Sequence, residues 1–366
     1  MKKIHFGPTV IDAEIETRMR AKMWRKLWWK IGLVFLLILI VFLRLFGNAF
    51  LRKVLHYPWN FSFNKYGNEM FVPRYPEPVK IEPNAKVFDL MYDAAMKGGE
   101  TFEFDTKILE CNTAGQAADI VNATFGELLD ERIEVCFWGG VRADVQTSED
   151  GKAIGKKTQV TFLPFEQFEK LPLKKYCRDM QKGAEEIVRQ ASKLDTDLEK
   201  ALFAHDYIAA HTVYDKEGAE KDAYDLCHTA YGAVGRHCAV CGGYAAGYQY
   251  VMRLLDVDCT YIRGKVKQSL WDKLTMKNGL HAWNQIKLDG DWYWVDVTWD
   301  DTGLDPDEDG IQVMHEYCFV DDDKIFESRK LDSTYHDVPK CRSMKLNEKL
   351  LEADAEAAAN AGWNLK

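Results

Sequence analysis

Outside its first 53 residues this chain has no excess of Lys or Arg, and that absence removes a class of partner. The formal net charge over 366 residues is −9. Residues 1–53 carry eleven Lys and Arg against three acids, a local +8, which leaves −17 for the remainder. Binding nucleic acid needs a basic surface, so an acidic body excludes it as a partner. There is no internal repeat, which excludes a solenoid, and no low-complexity tract. There is also no second Cys-x-x-Cys to complete a four-sulfur zinc site. What remains, 47% hydrophobic and 29% charged, is globular composition, enough for one large domain or two modest ones.

One apolar run stands apart. Ile31 to Leu43 is uncharged, with Lys30 and Arg44 at its edges. Thirteen residues are short for a bilayer, but Leu27 to Phe46 gives twenty if the two cations reach for the interfaces. Trp24, Trp28 and Trp29 sit where an interfacial belt would lie, and the cations concentrate on the N-terminal side. The expectation is a single-pass signal anchor at 27–46, with a cytoplasmic basic tail at 1–26 and the body outside the cell membrane. A cleaved signal peptide ending near Gly47 and Ala49 gives the same exported body; a buried core helix is the third reading. All nine cysteines follow this run. Outside the cell they suggest up to four disulfides and one single thiol.

Residues 47–85 read as a stalk. Residues 112–131 have helical spacing behind an Asn/Thr cap, and two β-rich runs follow. Thr196 to Glu199 forms a capping box ahead of a helix, and 346–366 is a C-terminal helix and tail. Mixed helices and an antiparallel sheet make the class α+β.

The chemistry concentrates in two stretches. "HCAVCGGYAAGY" places Cys241 at the start of a buried helix running to about 255, where free amides and the helix dipole favour a thiolate. Gly242 and Gly243 strip the first turn of side chains, so that another backbone or a substrate can approach. "HAWNQIKLDGDWYWVDVTW" is a hairpin turning at Asp289–Gly290. Its register sets Trp283 opposite Asp296 and makes His281 and Asp296 diagonal neighbours on one face. Ala282, Ile286, Leu288, Tyr293, Val295 and Val297 form the core face. Trp283, Trp292 and Trp294 then line the other, as the floor of a cleft. A cysteine, an imidazole and an orienting carboxylate are the parts of nucleophilic catalysis. Cys238 leaves alternatives open: a disulfide to another cysteine, a redox pair with Cys241, or a metal site enlisting His237 and His281.

Two weaker signals remain. Asp305, Asp307, Asp309, Gly310 and Glu316 match a calcium-loop spacing, but the loop lacks an incoming helix and has Pro306 and Gln312 at unusual places. An acidic surface turn is the plainer reading. His205 and His211, on the upstream helix, read as packed or solvated. His56, His228 and His336 have no partner pattern.

"VCGGYA", then "HAWNQIKLDGDWYWVDVTWDD", preceded by "AHDYIAAHTVYD", resembles the bacterial transglutaminase-like group of papain-like cysteine enzymes. The motifs span Ala204 to Asp301. The resemblance implies a papain-like core at 191–345, a Cys-bearing helix packed on an antiparallel sheet, with 86–190 as an accessory α/β segment. It implies Cys241 as nucleophile, His281 as general base and Asp296 as the orienting acid, with no cofactor or metal and a protein or peptide substrate. The reaction would be that of a cysteine protease, amidase or transglutaminase. The other readings are a catalytically weak binding module and a thiol–disulfide enzyme on Cys238 and Cys241.

Overall fold

A computed structural model of the chain describes residues 81–99, 101–147, 154–221, 224–266, 279–301, 313–333, 335 and 338–360. The basic tail, the apolar segment 27–46, nearly all of the stalk, and Asp305, Asp307, Asp309 and Gly310 lie outside the described residues. Among the described residues no helix is long and apolar enough to cross a membrane.

The chain enters through α1 (Ala85–Met96), started by Asn84, whose side chain accepts from the Val87 amide. Helix α2 (Ala114–Glu131) begins at the expected cap, Thr113, and buries Ala117, Val121, Phe125 and Leu128. That three-and-four spacing turns one stripe inward. Strands β1 (Thr101–Asp105), β2 (Trp138–Thr147) and β3 (Ile154–Pro164) form an antiparallel sheet in the order β1-β3-β2. Helix α3 (Leu173–Ala191) leads to α4 (Asp197–His211), and the capping box of Thr196 and Glu199 is formed in both directions.

The second half is a helix on a sheet. Two parallel strands of two residues, β4 (Val213–Tyr214) and β5 (Cys238–Ala239), bring the two motifs that contain them side by side; α5 (Lys216–Glu220) lies between. Helix α6 (Cys241–Leu254) packs on β6 (Cys259–Val266) and β7 (Leu280–Leu288). With β8 (Asp291–Val295), β9 (Cys318–Val320) and β10 (Arg329–Leu331) these strands make a five-stranded sheet in the order β10-β6-β7-β8-β9. Short helices α7 (Val297–Asp300) and α8 (Asp322–Ser328) bracket β9, and α9 (Lys345–Asn360) closes the chain. One apolar core runs without a break from Val87 on α1 to Phe319 on β9, so the accessory segment and the sheet share an interior.

The β7–β8 register is the expected one: Gln285 opposes Trp294 and Ile286 opposes Tyr293. Asp289 and Gly290 both take positive φ, +51° and +89°, as a two-residue hairpin turn requires. The tryptophan face corrects its expected role. It is no cleft floor: Trp283 and Trp294 are fully buried in a second apolar core with Ile262, Val320, Ile325 and Cys341. Trp294 donates its indole N–H to Asp322, at the start of α8, at 2.9 Å. The cover comes from α8 and residues 338–344, which a reading of the hairpin alone did not include.

Candidate active site

Cys241 is the first residue of α6, half-buried, with its N-terminal turn held by Gly243 and Tyr244 donating to the Val240 carbonyl at 2.8 and 3.1 Å. The two glycines are explained by the chain itself. A Cβ on Gly243 would stand 2.4 Å from the Cys227 carbonyl oxygen, and one on Gly242 3.3 Å from that of His228. The approaching backbone is the 227–229 segment.

His281 lies on β7 and Asp296 follows β8. The His281 Nε2 is 2.6 Å from Asp296 Oδ2, and the Cys241 sulfur is near enough to the same ring to raise its pKa. All three expected residues are therefore brought together. Burial alone would pull the imidazole down, but Asp296 and Cys241 outweigh it and lift His281 to about 9. The proton thus rests on the ring near neutral pH. Asp296 is fully buried and caps α7, accepting from the Trp299 amide at 3.3 Å. Burial pushes its carboxyl up, yet His281 and Arg329 together hold it below the usual carboxylate range.

Arg329 is the residue that sequence reasoning missed. Fully buried on the edge strand β10, it donates Nε–H to Asp296 Oδ2 at 2.8 Å. A second nitrogen lies 2.5 Å from the same oxygen, in ion-pair contact though not aligned as a hydrogen bond. Its guanidinium sits in the corner between the near-perpendicular rings of Trp299 and Tyr317, 4.1 Å from each centroid. Only pairing and stacking of this kind make a buried Arg tolerable. Nothing in the run "ESRKLDS" marks it, because the carboxylate it serves lies 33 residues upstream. Trp299, 40% exposed and 5.9 Å from the His281 ring, presents an indole at the mouth of the site.

The expected disulfides are absent: all nine cysteines are free. Buried thiols have core partners instead. Cys177 donates to the Ala95 carbonyl, Cys136 to that of Glu134, and Cys341 accepts from Gln285. Burial and the nearby Asp215 carboxylate push the Cys238 thiol up. That is the opposite of what a redox thiolate needs. Of the calcium-loop positions that are described, Glu316 pairs with Lys324 at 2.8 Å. An open cavity of about 240 Å³, lined by Leu129, Arg132, Ile133, Cys136, Phe165, Gln167 and Tyr224, includes none of the three candidate residues.

Residues 184–297 match the family model of the transglutaminase-like superfamily. The chain carries a transglutaminase-like domain. Cys241, His281 and Asp296 all fall inside the matched segment; Arg329 lies beyond it. The kyphoscoliosis peptidase of Homo sapiens is 31% identical over 141 residues, 37% of this chain and 21% of that protein. The Mus musculus kyphoscoliosis peptidase is 30% identical over 136 residues, 36% of this chain and 20% of that protein. The chain thus spans about a fifth of the length of these curated relatives. A solved transglutaminase structure ("TGase") shares 16% identity, with 44% of this chain and 45% of that one covered, at a TM-score of 0.29. The transglutaminase-like domain has a mixed helix-and-sheet fold.

Proposed function

We propose that this protein is a cysteine enzyme that transfers an acyl group from an amide of a protein or peptide. The observation that carries the reading is a single imidazole bonded to a buried carboxylate and set beside a sulfur at a helix N-terminus. Cys241 attacks the carbonyl carbon, the C–N bond breaks, and a thioester forms on Sγ. Cys241 attacks as the thiolate of a thiolate–imidazolium pair, and His281 delivers its proton to the leaving amine while Asp296 fixes the ring. The amide of Cys241, at the foot of α6, faces the developing oxyanion. Water then resolves the thioester to a carboxylic acid; a lysine amine in its place would give a cross-link. Hydrolysis is favoured, and the name of the curated relatives, peptidase, points the same way.

The test is alkylation of the unreduced protein by iodoacetamide across pH, mapped peptide by peptide. Selective labelling of Cys241 that slows in His281→Ala supports the assignment. Labelling of Cys238 and Cys241 at equal rates, unaffected by His281→Ala, sinks it. Residues 27–46 are further proposed to anchor the chain, with the body on the extracytoplasmic side, on the strength of the apolar run and the preceding cations. Release of the full chain from membranes by alkaline carbonate would end that proposal.

A further inference from the structure

A second cluster, separate from the three residues above, has the architecture of a transition-metal site. His205 on α4 is wholly buried, with Nδ1 2.8 Å from Asp206 Oδ1 and Nε2 3.2 Å from Asp300 Oδ2. His315 places Nε2 3.0 Å from the same Asp206 Oδ1 and Nδ1 2.9 Å from Asp354 on α9. The donor atoms of His205, Asp206 and His315 all lie within 4.8 Å of one another. Both rings thus have a carboxylate at each nitrogen. A neutral imidazole has one N–H, so one nitrogen of each ring would meet a carboxylate lone pair with a lone pair of its own. With the N–H of each ring given to its outer carboxylate, Asp300 or Asp354, the two remaining lone pairs converge beside Asp206. Carboxylate–histidine–metal relays have this form.

We propose that His205 Nδ1, His315 Nε2 and the Asp206 carboxylate bind one divalent first-row transition ion, Zn²⁺ by the chemistry of the donors. Two imidazoles and one carboxylate suit zinc and disfavour calcium or magnesium, which take oxygen. Metal–ligand bonds of ~2.0–2.1 Å place tetrahedral donors ~3.3 Å apart. The gaps to Asp206 therefore open by a few tenths of an ångström, while the two ring nitrogens, within 4.8 Å, draw together by up to about 1.5 Å, and Asp206 is 40% exposed. The ion replaces two ring protons, so a dication leaves the net charge of the cluster unchanged. Of the three donors, His315 is 12% and Asp206 40% exposed. Such an ion joins α4 to the 313–317 segment directly, and to α7 and α9 through Asp300 and Asp354.

The full chain, stripped with chelator, is titrated with ZnCl₂ by calorimetry and with CoCl₂, read by the visible bands of tetrahedral Co²⁺. One equivalent per chain is expected. Asp206→Asn, on the partly exposed residue, and His315→Gln are each expected to weaken it at least about 100-fold, and Asp354→Asn about 10–100-fold. Circular dichroism of each variant separates lost binding from lost fold. Cys241→Ala is expected to bind zinc as the parent does, which separates this site from the candidate active site. No uptake, or uptake unchanged in folded Asp206→Asn, overturns the proposal and leaves a hydrogen-bonded network.

Discussion

Asp296 and Asp300 stand at the two ends of the same short helix, α7, and both are wholly buried. Their environments nevertheless drive them in opposite directions. Asp296 meets two cations, His281 and Arg329, and its carboxyl falls below the usual range. Asp300 meets His205 and the Tyr317 amide, which do not offset its burial, and its carboxyl rises. Equal burial therefore does not imply equal charge. The number of cations within reach decides it, and only Asp296 is furnished to stay ionised beside an imidazole.

The contrast can be broken at several points. The largest effect is expected from Arg329→Met, which leaves a buried carboxylate with one cation fewer. Removing one partner of a buried pair costs ~3–5 kcal/mol, readable by urea unfolding. A loss below about 1 kcal/mol, the worth of an ordinary surface pair, would mean that Arg329 does not hold Asp296. Next, Asp296→Asn is expected to cost ~3 kcal/mol or more, because it leaves the buried Arg329 guanidinium without its carboxylate. Asp300→Asn at pH 7 is expected to stay within ~1 kcal/mol of the parent, because a carboxyl with a raised pKa gains little by ionising. Equal losses for these two variants would erase the distinction. In alkylation, Asp296→Asn should slow Cys241 about tenfold or more, equivalent to ~1.4 kcal/mol, while Asp300→Asn leaves the rate within about threefold.

The finest test is pH. His281 is lifted from 6.5 to about 9, so its pairing stabilises the fold fully below pH 6.5 and fades as pH rises through about 9. The stability gap between the parent and His281→Gln should shrink over that interval. A gap that widens with pH would reverse the assignment of the proton.

The hairpin was readable because its register hangs on one turn: once Asp289–Gly290 is placed, every pair follows, and period two puts His281 and Asp296 on one face. Cys241 was readable because a helix N-terminus leaves local marks. The rest depended on partners distant in sequence. The tryptophan face looked like a cleft because its cover is remote: Asp322, which opens α8 and bonds the Trp294 indole, lies 28 residues further along the chain. Cysteine parity suggested bridges, whereas the buried thiols are core residues with separate partners. Arg329 meets Asp296 across 33 residues, and His315 meets Asp206 across 109. No periodicity reports such meetings.

The Asp296–Arg329 pair also sets what this scaffold can lose. The guanidinium, its two aromatic plates and the carboxylate are interior parts, and the sheet edge is built around them. The sulfur of Cys241 is half-buried and joined in no disulfide. A lineage carrying this domain can shed its nucleophile by a single base change and keep its shape, but a change at the acid takes the architecture with it. Descent from enzyme to inert scaffold is open at the thiol and closed at the carboxylate.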